Sequence, residues 1–200
     1  MIRHPWKRLV AWLIDWVLVL AWAGITAAVG VPLYLSGATA GLGPIVLNVI
    51  SVVVLVAPVT AALAALESGR RQATIGKRMQ RLVVTDAATG SRLSFPRALG
   101  RNVLKIALPW AVGHAAVFGM VATAAADAAP PWIWVLTALA YVVPVVYVVT
   151  LFMGAGATPY DRAARSHVAI GDAAGGHRDG PASRRLAETA RLPARGRAVE

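Results

Sequence analysis

The sequence predicts an all-α membrane protein, a four-helix transmembrane bundle with a small cytoplasmic hairpin between helices 2 and 3. Three observations predict it. First, the 200-residue chain is 58% apolar and only 14% charged, whereas a soluble domain is about 45–50% apolar and about 25% charged. Second, the ionisable residues are missing from long runs. No Asp, Glu, Lys, Arg or His stands between Trp16 and Leu66, only His114 between Ile106 and Ala126, and none between Ala128 and Tyr160. Third, all 20 basic residues fall on one side of a four-span arrangement. The absence of cysteine excludes disulfides and thiolate metal sites.

A bilayer core of about 30 Å takes about 20 apolar helical residues. Span 1 is placed near 9–31, after Arg3, Lys7 and Arg8. Ala21-Trp22-Ala23 has the look of a signal-peptide cleavage site, but Asp15 interrupts the apolar region and the apolar run continues past it, so an uncleaved span is expected. The run Ser36–Pro44 holds three glycines and ends in a proline, which is loop chemistry. Span 2 follows near 44–66. Spans 3 and 4 are placed near 103–125 and 132–153, separated by Asp127, Pro130 and Pro131. Helices rather than strands are favoured because an open sheet leaves its backbone unsatisfied in lipid. Pro58, Pro109 and Pro144 are expected to interrupt backbone bonding within spans. The small-residue rows Ala57-Ala61-Ala65 and Ala111-Ala115-Gly119-Thr123 are expected to let helices approach closely.

The segment 67–102 is too long for a plain connector. Gln80–Thr85 and Ser91–Phe95 flank Asp86-Ala87-Ala88-Thr89-Gly90, which reads as a hairpin with a glycine-containing turn. Pro96 suits a helix start, with Ser94 or Phe95 as its cap. A nucleotide P-loop at Thr74-Ile75-Gly76-Lys77-Arg78 is rejected: Gly69 is wrongly spaced, and Arg78 stands where a hydroxyl would hold the metal. No hydrolase or zinc-binding motif is present, so no enzymatic activity and no cofactor or metal are expected.

The net charge of +11 is a topology signal. Segment 67–105 carries nine basic residues and the tail 154–200 eight, while the short loops 32–43 and 126–131 carry none. Basic residues mark the cytoplasmic side. The expectation is a multi-pass protein of the bacterial inner membrane with both termini cytoplasmic, attracted to anionic lipid at that face. Residues 1–170 form the transmembrane domain; 171–200, rich in Ala, Gly, Pro and Arg, is expected to be a disordered basic tail. The tail's five acids leave residues 154–200 at only +3, which argues against nucleic acid as a partner.

Asp15 is the charge that topology does not explain. It lies seven residues, about 10 Å, beyond Arg8 and on the same helical face. A carboxylate near a span's centre is disfavoured by about 2.5–3.5 kcal/mol, so it needs a partner, with Arg8, Arg101 and Lys105 as candidates. Two readings stay open: an ion or proton site, or a salt bridge pinning span 1 to span 3. Arg97, Arg101 and Lys105 repeat at four-residue intervals as a basic stripe that suits lipid phosphates. His114 is a candidate proton relay; the plainer reading for it and for Asn48 is a hydrogen bond to a neighbouring helix.

These pieces, in their order, resemble the RDD family of small bacterial membrane proteins, named for one arginine and two aspartates. Arg8-Leu9-Val10-Ala11-Trp12-Leu13-Ile14-Asp15 carries the arginine and first aspartate. Gln72–Arg78, Leu82-Val83-Val84, Ser94–Leu99 and Arg101-Asn102 follow, and Tyr160–Val168 carries the second aspartate as Asp161. The resemblance covers roughly 6–170. One departure is clear: where the family has Gly-Thr after its second aspartate, this chain has Arg165 and Ser166, which challenges a glycine-type turn. The resemblance implies transport of a small solute or ion, including cation/proton exchange with Arg8, Asp15 and Asp161 as a charge network. A sparse set of ionisable groups in four helices suggests a homo-oligomer for such a role. The alternative is a non-transporting scaffold or assembly factor that engages a partner or anionic lipid through its cytoplasmic loop.

Overall fold

The computed structural model describes residues 4–126 and 128–171; the expected basic tail lies outside the described residues from 172 onward. Four long apolar helices dominate: α1 (Pro5–Leu35), α2 (Pro44–Ser68), α4 (Phe95–Ala122) and α5 (Pro131–Phe152). Between α2 and α4 stand a short helix α3 (Ile75–Met79) and strand β1 (Leu82–Asp86). After α5 come a short helix α6 (Pro159–Ala163) and strand β2 (Ser166–Ile170). Each long helix has a proline in its first turn, where the missing N–H is harmless and the fixed φ suits the helix. The third helix starts earlier than the span read at 103–125, because its polar first turns, with Ser94 at the cap, continue directly into the apolar part.

The packing inverts that of a soluble protein. Ile25, Val29, Ile45, Val53, Trp134, Tyr141 and Val145 are exposed on the outside, as lipid contact requires. Among the described residues six charged side chains are buried: Asp15, Glu67, Lys77, Arg101, Lys105 and Asp161. They collect where α1 and α4 begin and α2 ends, beside α3 and α6.

Prolines shape two of the helices. Val52–Val56 and Val103–Ala107 are π-helical stretches, ending two residues before Pro58 and Pro109 respectively. In the second, the Leu108 N–H bonds the Val103 carbonyl, and Pro109 has no N–H to offer the Leu104 carbonyl. The Tyr147 hydroxyl of α5 donates to that carbonyl instead, at 2.8 Å. Pro144 lies inside α5, which continues through it.

Two expectations are corrected. Strand β1 does not find its main partner across the Asp86–Gly90 turn. It pairs antiparallel with β2, Leu82 opposite Ile170 and Asp86 opposite Ser166. The local turn does form, with Asp86 Oδ1 accepting the Ala88 and Thr89 N–H groups at 2.8 and 3.0 Å. Beyond it only Thr85 and Arg92 bridge, because Leu93 is buried and α4 begins at Phe95. The apolar reason lies at the helix ends: Val84, Leu93, Ala64 and Ala98 form one buried cluster, and Val168 of β2 packs on it.

The second correction concerns Ala57, Ala61 and Ala65, which are exposed. The packed face of α2 is Val56, Thr60, Leu63, Ala64 and Glu67, one step around the helix. The small-residue expectation for α4 fares differently at Gly119, where an added Cβ would collide with the Trp132 ring.

Candidate functional site

Asp161 opens α6. The Thr158 hydroxyl accepts the Asp161 N–H at 3.4 Å, and Asp161 Oδ2 accepts the Thr158 N–H at 3.2 Å, a reciprocal cap. This holds the carboxylate where two arginines converge. Arg8 of α1 pairs with Oδ2, and Arg101 of α4 donates Nε and Nη2 to Oδ1 at 3.1 and 2.7 Å. Burial would raise the Asp161 pKa, but the Arg101 and then the Arg8 charges hold it well below the usual carboxylate range. Arg8 also donates to the Gly156 carbonyl. The Arg101 guanidinium lies 5.1 Å from the centroid of the Tyr160 ring, and burial raises the Tyr160 pKa.

Arg101 bridges to a second carboxylate. Its Nη1 donates to Glu67 Oε2 at 2.5 Å, and Asn102 Nδ2 donates to the same oxygen at 2.9 Å. Lys77 of α3 pairs with Glu67 Oε1. Burial pushes the Lys77 ammonium down, the Arg101 charge adds to this, Glu67 opposes it and Lys105 lowers it again; the balance is about 7.

Asp15 departs from the expected ion pair. Its partners are neutral: the Thr74 hydroxyl donates to Oδ2 at 2.6 Å and the Gly76 N–H to Oδ1 at 2.8 Å. The Gly76 N–H is one of the first-turn amides of α3 that lack an intrahelical acceptor. Asp15 therefore ties α1 to α3, not span 1 to span 3. Gly76 is required by the approach, since a Cβ there would strike the Ala11 carbonyl.

A cavity of about 140 Å³ adjoins these groups. Arg8, Asp15, Lys77, Arg101 and Lys105 line its polar side; Trp12, Trp16, Trp110, Tyr147 and Tyr160 supply aromatic walls. Trp16 stacks on Trp110 with centroids 5.5 Å apart, and Tyr147 meets Tyr160 edge-on at 5.0 Å. Lys105 is 7% exposed and, among the described residues, no side chain pairs with it. The buried Trp16 Nε1 has no acceptor either.

Of the residues singled out in the sequence, Arg8, Asp15, Asp161, Arg101 and Lys105 come together here. His114 does not: its Nδ1 contacts the Trp110 carbonyl of its own helix at 3.2 Å, outside the cavity. The expected bonds from His114 and Asn48 to neighbouring helices are not seen among the described residues, and Asn48 Oδ1 is unpartnered. Arg97 leaves the stripe too, pairing with Asp86 and donating to the Ala164 carbonyl at 2.8 Å. Arg97, with the Thr89 and Ala88 N–H groups, holds the Asp86 pKa well below its ordinary value.

Sequence reasoning missed Glu67, Lys77, Thr74, Asn102 and Tyr160. Glu67 carried a signal: it is the first charge after the ionisable-free run from Trp16 to Leu66. The turn after Asp161 keeps its left-handed backbone, with Arg165 at φ 47° in place of glycine.

The model described as RDD family matches residues 2–165. No curated protein and no solved structure matches the chain.

Proposed function

The chain belongs to the RDD family, and from that membership we propose that it takes part in membrane transport of a small solute, engaged at the cavity between α1, α4 and α5. The observation that carries this reading is the juxtaposition of an aromatic-walled space of about 140 Å³ with the family's arginine and first aspartate. The basic residues favour an inner-membrane protein with this charged end, and both termini, in the cytoplasm, where anionic lipid would contact the outward basic residues. One such cavity in four helices is a sparse pathway, which favours a homo-oligomer.

Asp161 is a poor exchanger in this reading. Two arginines and a backbone N–H already fill its oxygens, so a proton or cation would have to displace a guanidinium. Its role is to hold Arg8 and Arg101, which line the cavity, in place. Cation/proton exchange has a better candidate in Asp15, which lines the cavity and has only neutral donors.

The test is flux in proteoliposomes holding the purified protein, with proton, sodium and organic-anion gradients run in parallel. Flux lost in Asp15→Asn but not in Asp161→Asn, with both variants folded, supports exchange at Asp15. No flux of any kind from the intact protein overturns transport and leaves the scaffold role.

A further inference from the structure

The charges around the cavity do not balance. With all seven ionised, Arg8, Lys77, Arg101 and Lys105 stand against Asp15, Glu67 and Asp161, one positive charge in excess. The carboxylates are already engaged: Glu67 by Lys77, Arg101 and Asn102, Asp161 by Arg8 and Arg101, Asp15 by Thr74 and Gly76. The excess resides on Lys105, which is buried at the cavity wall and has no side-chain partner among the described residues. Its place follows from Pro109, since Lys105 sits within the π-helical stretch Val103–Ala107 that precedes the proline, and π-helical turns are frequent at functional sites.

A buried, unpaired charge is costly unless something compensates it. Trp16 adds a buried indole N–H without an acceptor. The Lys105 ammonium, which no side chain pairs with among the described residues, and the unpartnered Trp16 N–H both belong to residues lining a space walled by aromatic rings. The volume is close to that of cavities that hold benzene, about 150 Å³. A bare inorganic anion would leave the aromatic walls uncovered, and a cation would meet four like charges against the single lining carboxylate of Asp15.

We propose that the cavity binds a small organic monoanion, a carboxylate on a planar apolar body, with its charged end on Lys105 and Trp16 and its body against Trp12, Trp110 and Tyr147. The proposal names the ligand class for the solute-handling reading and rests on it for the biological role alone; binding is measured separately from flux.

The test is equilibrium dialysis of radiolabelled benzoate against the purified full-length protein in zwitterionic-lipid nanodiscs, with benzylamine and chloride as competitors. Saturable benzoate binding that neither competitor removes is expected, weakened about tenfold or more by Lys105→Met. That variant removes a buried unpaired charge and is expected to fold. Trp16→Phe removes a donor without changing charge and is expected to weaken binding severalfold; unchanged affinity in either folded variant overturns the proposal. So does absence of saturable binding, or equal competition by benzylamine. Repetition in anionic-lipid nanodiscs separates the two sources of an anion: unchanged binding supports a soluble ligand, and loss of binding overturns it in favour of a lipid headgroup. Benzoate binding without any flux supports the proposal and overturns transport, whereas cation flux without benzoate binding does the reverse.

Discussion

Asp15 accepts the backbone N–H of Gly76 at 2.8 Å across 61 positions of sequence, so the family's first aspartate caps the start of a helix that is not its own. The Thr74 hydroxyl completes the arrangement at 2.6 Å. Asp15→Asn keeps an oxygen for Gly76 but turns a second donor toward Thr74. A loss of about 1–3 kcal/mol is expected, read as a lower midpoint of thermal unfolding in detergent. A melting curve superimposable on the wild type would mean that the bond is not structural.

Arg101 is the side chain on which Glu67 and Asp161 both depend. Arg101→Met leaves both buried carboxylates short of a cation and is expected to cost about 3–5 kcal/mol. Arg101→Lys should recover little, because a point charge cannot serve both carboxylates as the fork does. Unfolding in mixed micelles of rising denaturing detergent measures both; equal stability of the lysine variant and the wild type would refute the forked role.

Gly76→Ala tests the contact between α3 and α1 without touching a charge. The added Cβ meets the Ala11 carbonyl, and backbone cannot yield as a flexible side chain can. A cost of about 1–3 kcal/mol is expected. Amide hydrogen exchange should quicken over residues 69–79 first.

At Arg165 the opposite change is expected. Its φ of 47° suits glycine, and a non-glycine residue there costs about 1–2 kcal/mol. The side chain is exposed, while its carbonyl accepts from the Ala87 N–H at 2.9 Å and would be unaffected. Arg165→Gly should raise the unfolding midpoint; a fall would show that the arginine side chain makes a contact worth more than the strain.

Lys77 sets a pH dependence. Its pKa is lowered from 10.5 to about 7 in the folded protein, chiefly by burial. The charges acting on it are Glu67 of α2 and Arg101 and Lys105 of α4, and Arg8 and Asp15 of α1 line the same cavity. Between about pH 7 and 10.5 the unfolded chain binds more protons than the folded one, so stability from this group rises with pH across that window. Below pH 7 the ammonium is charged in both states and its burial cost is fully present. The unfolding midpoint should rise from pH 7 to 9, and the slope should flatten in Lys77→Met. A variant with an unchanged slope would remove Lys77 as its source.

The sequence by itself determined the spans and the side of the bundle on which charge collects. Hydropathy along one helix is a local property, and lipid admits few backbone arrangements, so runs such as Trp16–Leu66 are legible without a structure. Arg8, Asp15, Arg101 and Lys105 stood out because each is an ionisable group beside or within an apolar run, whereas Asp161 was singled out only through the family resemblance. Their partners were not. The neutral donors of Asp15, the exchange of a local hairpin for a strand at 166–170, and the meeting of Glu67, Arg101 and Asp161 are contacts between residues tens of positions apart. Only the tertiary structure decided them, because low-dielectric burial makes the pairing of each charge depend on every other group within reach.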